Sequence, residues 1–100
     1  MPISMKEQVL RHRNDILLLA KHHGITNIRL FGSVARGEDG PDSDIDFLVD
    51  PQLPIQDSFG FLAFQENVSA LLDGRHVDVV FSAGLFPPLR EVILREAISL

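Results

Sequence analysis

One hundred residues, 45% hydrophobic and 23% charged, suit one globular domain that buries roughly 60–70% of the surface its unfolded chain exposes. The absence of cysteine excludes disulfides and thiolate-held zinc or iron–sulfur centres. Nine Lys and Arg against fourteen Asp and Glu leave a formal charge of −5, the wrong sign for neutralising duplex phosphates, and no apolar run approaches the ~20 residues that cross a bilayer. The expectation is a single domain over residues 1–100, soluble and cytoplasmic, with no direct nucleic-acid partner and no membrane contact.

Ser4 to His23 lacks Gly and Pro and sets Val9, Leu10, Ile16, Leu17 and Ala20 near one helical stripe, with Gly24 as a stop. Ile28 to Phe31 is a short run of strand formers ending at Gly32. Ser33 is placed to cap a helical turn through Arg36, and the turn-rich stretch from Gly37 to Asp42 makes a loop. From Asp44 to Val49 the residues alternate, so Ile45, Phe47 and Val49 share one face while Asp44 and Asp46 share the other.

Pro51 and Pro54 end that strand, and Phe61, Phe64, Val68 and Leu71 recur at helical spacing within Ile55 to Leu72. Phe59, Phe61, Leu62 and Phe64 occupy more than one side of this helix, which leaves a partner-facing surface open as a reading. His76 to Phe81 alternates again, with His76, Asp78 and Val80 opposite Val77, Val79 and Phe81. Pro87 and Pro88 open a closing helix through Ala97, carrying Leu89, Val92 and Ile93. The order of elements describes one α/β (α+β) unit, a small mixed sheet with helices packed on one face.

Asp44 and Asp46 stand two residues apart on one strand face, so their carboxylates point toward one place. Two carboxylates at about 4 Å repel by roughly 1–4 kcal/mol, and a divalent cation reverses the sign. Oxygen ligands suit Mg²⁺, which takes one or two carboxylates and fills its shell with water and substrate phosphate. Asp78 on another strand is then available for a second ion or as a base for an attacking hydroxyl. Gly32 permits close backbone approach to a ligand, Ser33 opens a turn with free N–H groups, and Arg36 can meet a phosphate.

Singly, these features are what ordinary turns and solvated strands display, and Arg36 has Glu38 and Asp39 nearby as surface partners. A P-loop is excluded because Glu38 stands where its lysine belongs, and an EF-hand from Asp42 fails at Phe47 and Leu53. His22, His23 and His76 lack ligand-pair spacing and read as surface or strand histidines.

Together the residues resemble a known pattern. Gly32-Ser33, ten residues, and then Asp44-Ile45-Asp46 is similar to the signature of the DNA polymerase β nucleotidyltransferase superfamily. The flanks Phe31 to Gly37 and Ser43 to Val49, with Gly74 to Val80 and Leu89 to Ala97, resemble its minimal nucleotidyltransferase branch, and the likeness covers nearly the whole chain. The resemblance implies a polymerase β-like nucleotidyltransferase fold and two Mg²⁺ ions on Asp44 and Asp46, with Asp78 as third carboxylate. Gly32 and Ser33 would then hold nucleotide phosphates.

It further implies an antitoxin of HEPN/MNT toxin–antitoxin pairs that moves AMP from ATP to a hydroxyl, a tyrosine, of a HEPN ribonuclease. A toxin-masking protein without catalysis and a nucleotidyltransferase acting on an antibiotic-like small molecule are the alternatives. Such a short chain supplies no acceptor domain of its own, so association as a homo- or hetero-oligomer is compatible with it.

Overall fold

The computed structural model describes residues 3–51 and 58–100, with 51 and 58–60 entering as backbone only. Helices α1 (Met5–Arg11) and α2 (Arg13–His22) lead into strand β1 (Ile25–Phe31), the short helix α3 (Gly32–Arg36) and strand β2 (Ile45–Pro51). Helix α4 (Ser58–Leu71), strand β3 (Val77–Phe81), a 3₁₀ turn (Ser82–Gly84), helix α5 (Pro87–Glu96) and strand β4 (Ile98–Ser99) complete the chain. The sheet runs β3-β2-β1-β4, with β2 and β3 parallel and the other two pairings antiparallel. A parallel pair needs a crossover, and α4 provides it.

Strand alternation does the sorting predicted from the sequence. Ile45, Phe47 and Val49 are fully buried in one cluster with Ile28, Leu30 and Val77. Helices α1, α2 and α4 cover that face with Met5, Val9, Ile16, Ala20, Phe64 and Val68. This confirms a mixed sheet with helices packed on one face. The opposite face carries Asp46 and Asp50 on β2, with fully buried Leu48 between them in sequence.

Several boundaries differ from expectation for identifiable reasons. The first helix is interrupted at His12, whose amide hydrogen is shared between Gln8 and Val9 carbonyls at 3.1 and 3.2 Å; no Gly or Pro marks the break. β1 begins three residues earlier than the run Ile28–Phe31, because a bulge at Asn27, with φ of 53°, lets Ile25 and Thr26 pair with Pro51 and Asp50. The Asn27 side chain donates to Asp50 Oδ2 at 3.1 Å, which holds the bulge. Strand β2 extends through Pro51, whereas Pro54 and Ile55–Asp57 lie outside the described residues.

The aromatic helix is less open than its composition suggests. Phe64 is fully buried, Phe61 rests against Phe81 with ring centres 5.0 Å apart, and the Phe59 side chain lies outside the described residues. Leu62 on this helix reaches solvent, as do Phe86, which caps the last helix, and Leu89 and Val92 within it. Strand β4 has no counterpart in the sequence reading. It pairs Ile98 with Leu30, and the Leu100 amide donates to Ile28 O at 2.9 Å while Arg13 Nε donates to Leu100 O at 2.6 Å.

Burial separates two neighbours on α4. Phe64→Ala is expected to cost about 3–5 kcal/mol in urea unfolding, whereas Leu62→Ala, at a position 48% exposed, should stay within about 0.5–1 kcal/mol.

Candidate active site

The acidic site is assembled by the parallel pairing of β2 with β3. Ile45 lies opposite Val77 and Asp46 opposite Asp78, and the Ile45 amide donates to His76 O at 2.9 Å. Two positions before each aspartate on its own strand come Asp44 and His76, which precede β2 and β3 and project to the same side. The two strand starts therefore present a block of four: Asp44 beside His76, and Asp46 beside Asp78. His76 Nδ1 stands 3.2 Å from Asp44 Oδ1 and 3.7 Å from Asp78 Oδ1.

Asp46 sits deeper than the other acids. Its pKa is pushed up to about 6 from an ordinary value of 3.8, first by burial and then by the charges of Asp78 and Asp44, with Arg36 and His76 opposing. Above it passes Gly32, at φ of 79°; a Cβ there would run into Asp46 Oδ2 and lie 3.2 Å from its Cγ. Glycine is thus required twice, for its left-handed backbone and for the room it leaves the carboxylate.

The turn that follows is α3, whose helical residues begin at Gly32, with Phe31 rather than Ser33 in the capping position. Ser33 lies within this helix, where its carbonyl accepts from Glu38 N at 2.9 Å. Arg36 is held by two acids: Nε donates to Glu38 at 3.0 Å, and Nη1 donates to both Glu96 oxygens at 3.1 Å. The same Glu96 Oε1 accepts the Gly32 amide at 3.2 Å. A carboxylate at the end of α5 therefore joins the start and the end of the α3 turn.

Asp44 is placed by a different arginine. Arg75 donates from Nε and Nη2 to Ser43 O at 3.2 and 2.8 Å, and from Nη2 to Gly40 O at 2.9 Å. It lies next to His76 in the chain, so the approach to β3 grips the loop that delivers Asp44. Ser43 Oγ in turn accepts the Gly40 amide at 2.8 Å.

Of the residues anticipated from sequence, Asp44, Asp46 and Asp78 converge at the strand starts. Gly32 lies directly over Asp46, and Arg36 is one helical turn away. His76, Arg75 and Glu96 were not anticipated in these positions. Alternation places His76 on the face of Asp78, which is the available signal; Arg75 and Glu96 lie in stretches that resemble the minimal branch, but nothing local marks either as a bracing contact.

With this geometry in view, comparison with known proteins gives a consistent result. Residues 12–100 match the family described as "Nucleotidyltransferase domain". The chain belongs to that nucleotidyltransferase family. It is 38% identical over 80 residues to the protein adenylyltransferase MntA of Thermococcus cleftensis, covering 80% of this chain and 79% of that one. A solved minimal nucleotidyltransferase superposes with a TM-score of 0.82 at 41% identity, over 95% of both chains. A toxin–antitoxin structure with AMP-PNP shares the fold at a TM-score of 0.69 and 24% identity, over 86% of this chain and 69% of that one.

Membership and fold make the protein a nucleotidyltransferase of the minimal type. Among the described residues, no helix is long and apolar enough to cross a membrane.

The raised pKa of Asp46 has a definite pH signature. The folded chain binds an extra proton between 3.8 and about 6, so this group's contribution is most favourable below pH ~4 and is lost as pH rises through about 6. In metal-free protein, Asp46→Asn should therefore stabilise relative to wild type by an amount that grows from pH ~4 to pH ~6 and then levels off. Urea midpoints of both proteins across that range check it. Gly32→Ala, by contrast, should lower the urea midpoint, since its methyl group meets the Asp46 carboxylate and a left-handed backbone strains any residue but glycine.

Proposed function

We propose that the protein transfers AMP from ATP to a hydroxyl of a partner protein, a tyrosine of a HEPN-type toxin, and so acts as the antitoxin. The observation that carries the chemistry is the convergence of Asp44, Asp46 and Asp78 at two parallel strand starts beneath Gly32. Support for the acceptor class comes from the 38% identical relative named a protein adenylyltransferase and from the shared fold of toxin–antitoxin structures.

The donor set fits a divalent cation. Asp44, His76 and Asp78 offer ligand atoms within 4.8 Å of one another, and the like charges that raise the Asp46 pKa are those a cation offsets. Bound Mg²⁺, as two ions on Asp44, Asp46 and Asp78, would supply charge stabilisation for an in-line displacement at the α-phosphorus. Asp44 and Asp46 would hold these ions, through which the triphosphate is oriented. Asp78, on the neighbouring strand, is placed to accept the proton of the incoming hydroxyl. The hydroxyl oxygen forms a bond to the α-phosphorus while the bond from that phosphorus to pyrophosphate breaks, and the proton passes to Asp78.

Gly32 and Ser33 bring the α3 backbone close to the phosphates, and Arg36 adds a positive charge there. Arg36 is already oriented by Glu38 and Glu96, so little rotamer freedom is left to lose.

The decisive experiment is transfer of label from α-³²P-ATP to a co-encoded helical toxin in the presence of Mg²⁺. Wild type should label the toxin on a tyrosine, and Asp44→Asn with Asp46→Asn should reduce labelling by at least ~10³-fold. If the doubly substituted protein neutralises the toxin fully with the toxin unlabelled, neutralisation is by masking and the transfer reading fails. Labelling of an aminoglycoside in place of the protein would move the acceptor to a small molecule.

A further inference from the structure

The imidazole of His76 occupies a place that the family signature does not explain. It stands at the head of β3 as the cross-strand neighbour of Asp44 and two residues before Asp78. Although the side chain is 63% exposed, its Nδ1 faces inward to two carboxylates rather than outward to water.

Ligand atoms about 2.1 Å from a single octahedral ion lie roughly 3.0 Å apart when adjacent and 4.2 Å apart when opposed. The separations of 3.2 and 3.7 Å fall within that range, and one ligand atom from each of the three residues lies within 4.8 Å of the other two, so a small side-chain adjustment would close the set on one ion. Two carboxylates from two different segments converge on one nitrogen, and a cation among the three would offset the like charges of Asp44 and Asp78 while using the imidazole as a neutral donor. Imidazole nitrogen favours first-row transition ions over Mg²⁺, whose preference is for oxygen.

We propose that His76 is a ligand of the cation site, with Asp44 Oδ1 and Asp78 Oδ1, and that this nitrogen makes the site hold Mn²⁺ and Co²⁺ more tightly than Mg²⁺. The inference rests on the cation-dependent reading above but concerns the metal's identity and not the acceptor. Substituting the imidazole removes the nitrogen donor and leaves both carboxylates for Mg²⁺. The margin by which transition ions exceed Mg²⁺ should then narrow while Mg²⁺ binding persists.

The test uses the full chain without nucleotide. Mn²⁺-loaded protein is measured by electron spin echo envelope modulation, which reports nitrogen bonded to the ion. Co²⁺ affinity is followed through its visible absorption, with Mg²⁺ affinity read by displacement. Wild type should show ¹⁴N modulation that His76→Gln and His76→Ala both lose, and both variants should bind Co²⁺ at least ~10-fold more weakly with Mg²⁺ affinity within ~3-fold of wild type. Absence of ¹⁴N modulation in wild type, or equal losses for Co²⁺ and Mg²⁺, overturns the proposal.

Thermal unfolding of the variants establishes that they are folded. Label transfer is scored separately. Nitrogen coordination without any labelled acceptor sinks only the function reading, and labelling with an oxygen-only metal shell sinks only this one.

Discussion

The register between β2 and β3 is the constraint on which the rest depends. Ile45 opposite Val77 puts their apolar partners into one core and, by the same alternation, stacks Asp46 against Asp78 on the other side. A slip of one residue on either strand would send a carboxylate into the core and an aliphatic side chain into the site, so each face enforces the other. Core packing therefore holds like charges together against their repulsion. The Asp46 pKa is raised first by burial under the Gly32 turn and then by the charges of Asp78 and Asp44.

The site is braced from both ends of the sequence by arginine–oxygen contacts of different kinds. Arg75 holds carbonyls of the loop before Asp44, an interaction that sets backbone position and carries no partner charge at its two strongest contacts. Arg36 instead shares carboxylates with Glu38 and Glu96, which fixes the guanidinium but leaves it partly exposed beside the acids. One arginine serves as a structural clamp. The other ties the α3 turn to the end of α5 through Glu96 while remaining partly exposed.

Much of this was legible from residue order. Alternation in Asp44–Val49 and His76–Phe81 marked both strands and the side of each that packs, because a sheet with one packed side leaves that pattern in the chain, although the strands begin one residue later and Leu48 is fully buried on the acidic side. The spacing of Gly32-Ser33 to Asp44-x-Asp46 identified the family, later shown by comparison. What stayed hidden was non-local. The Asn27 bulge depends on Asp50 across the sheet, β4 spans only Ile98 and Ser99, and Glu96 acts 64 residues from Gly32. His76 lay in plain view on the correct face, but its meaning required the register, since lone histidines on strands carry no ligand spacing of their own.

Glu96 makes the order of the site depend on the last helix. Both acidic strands and the loop between β1 and β2 lie between Ile25 and Phe81, yet the contact that ties the Gly32 turn to Arg36 comes from the end of α5. The turn over the acids is therefore fastened from outside the segment that carries them, and fraying of that helix end would loosen the turn without disturbing the register of β2 and β3.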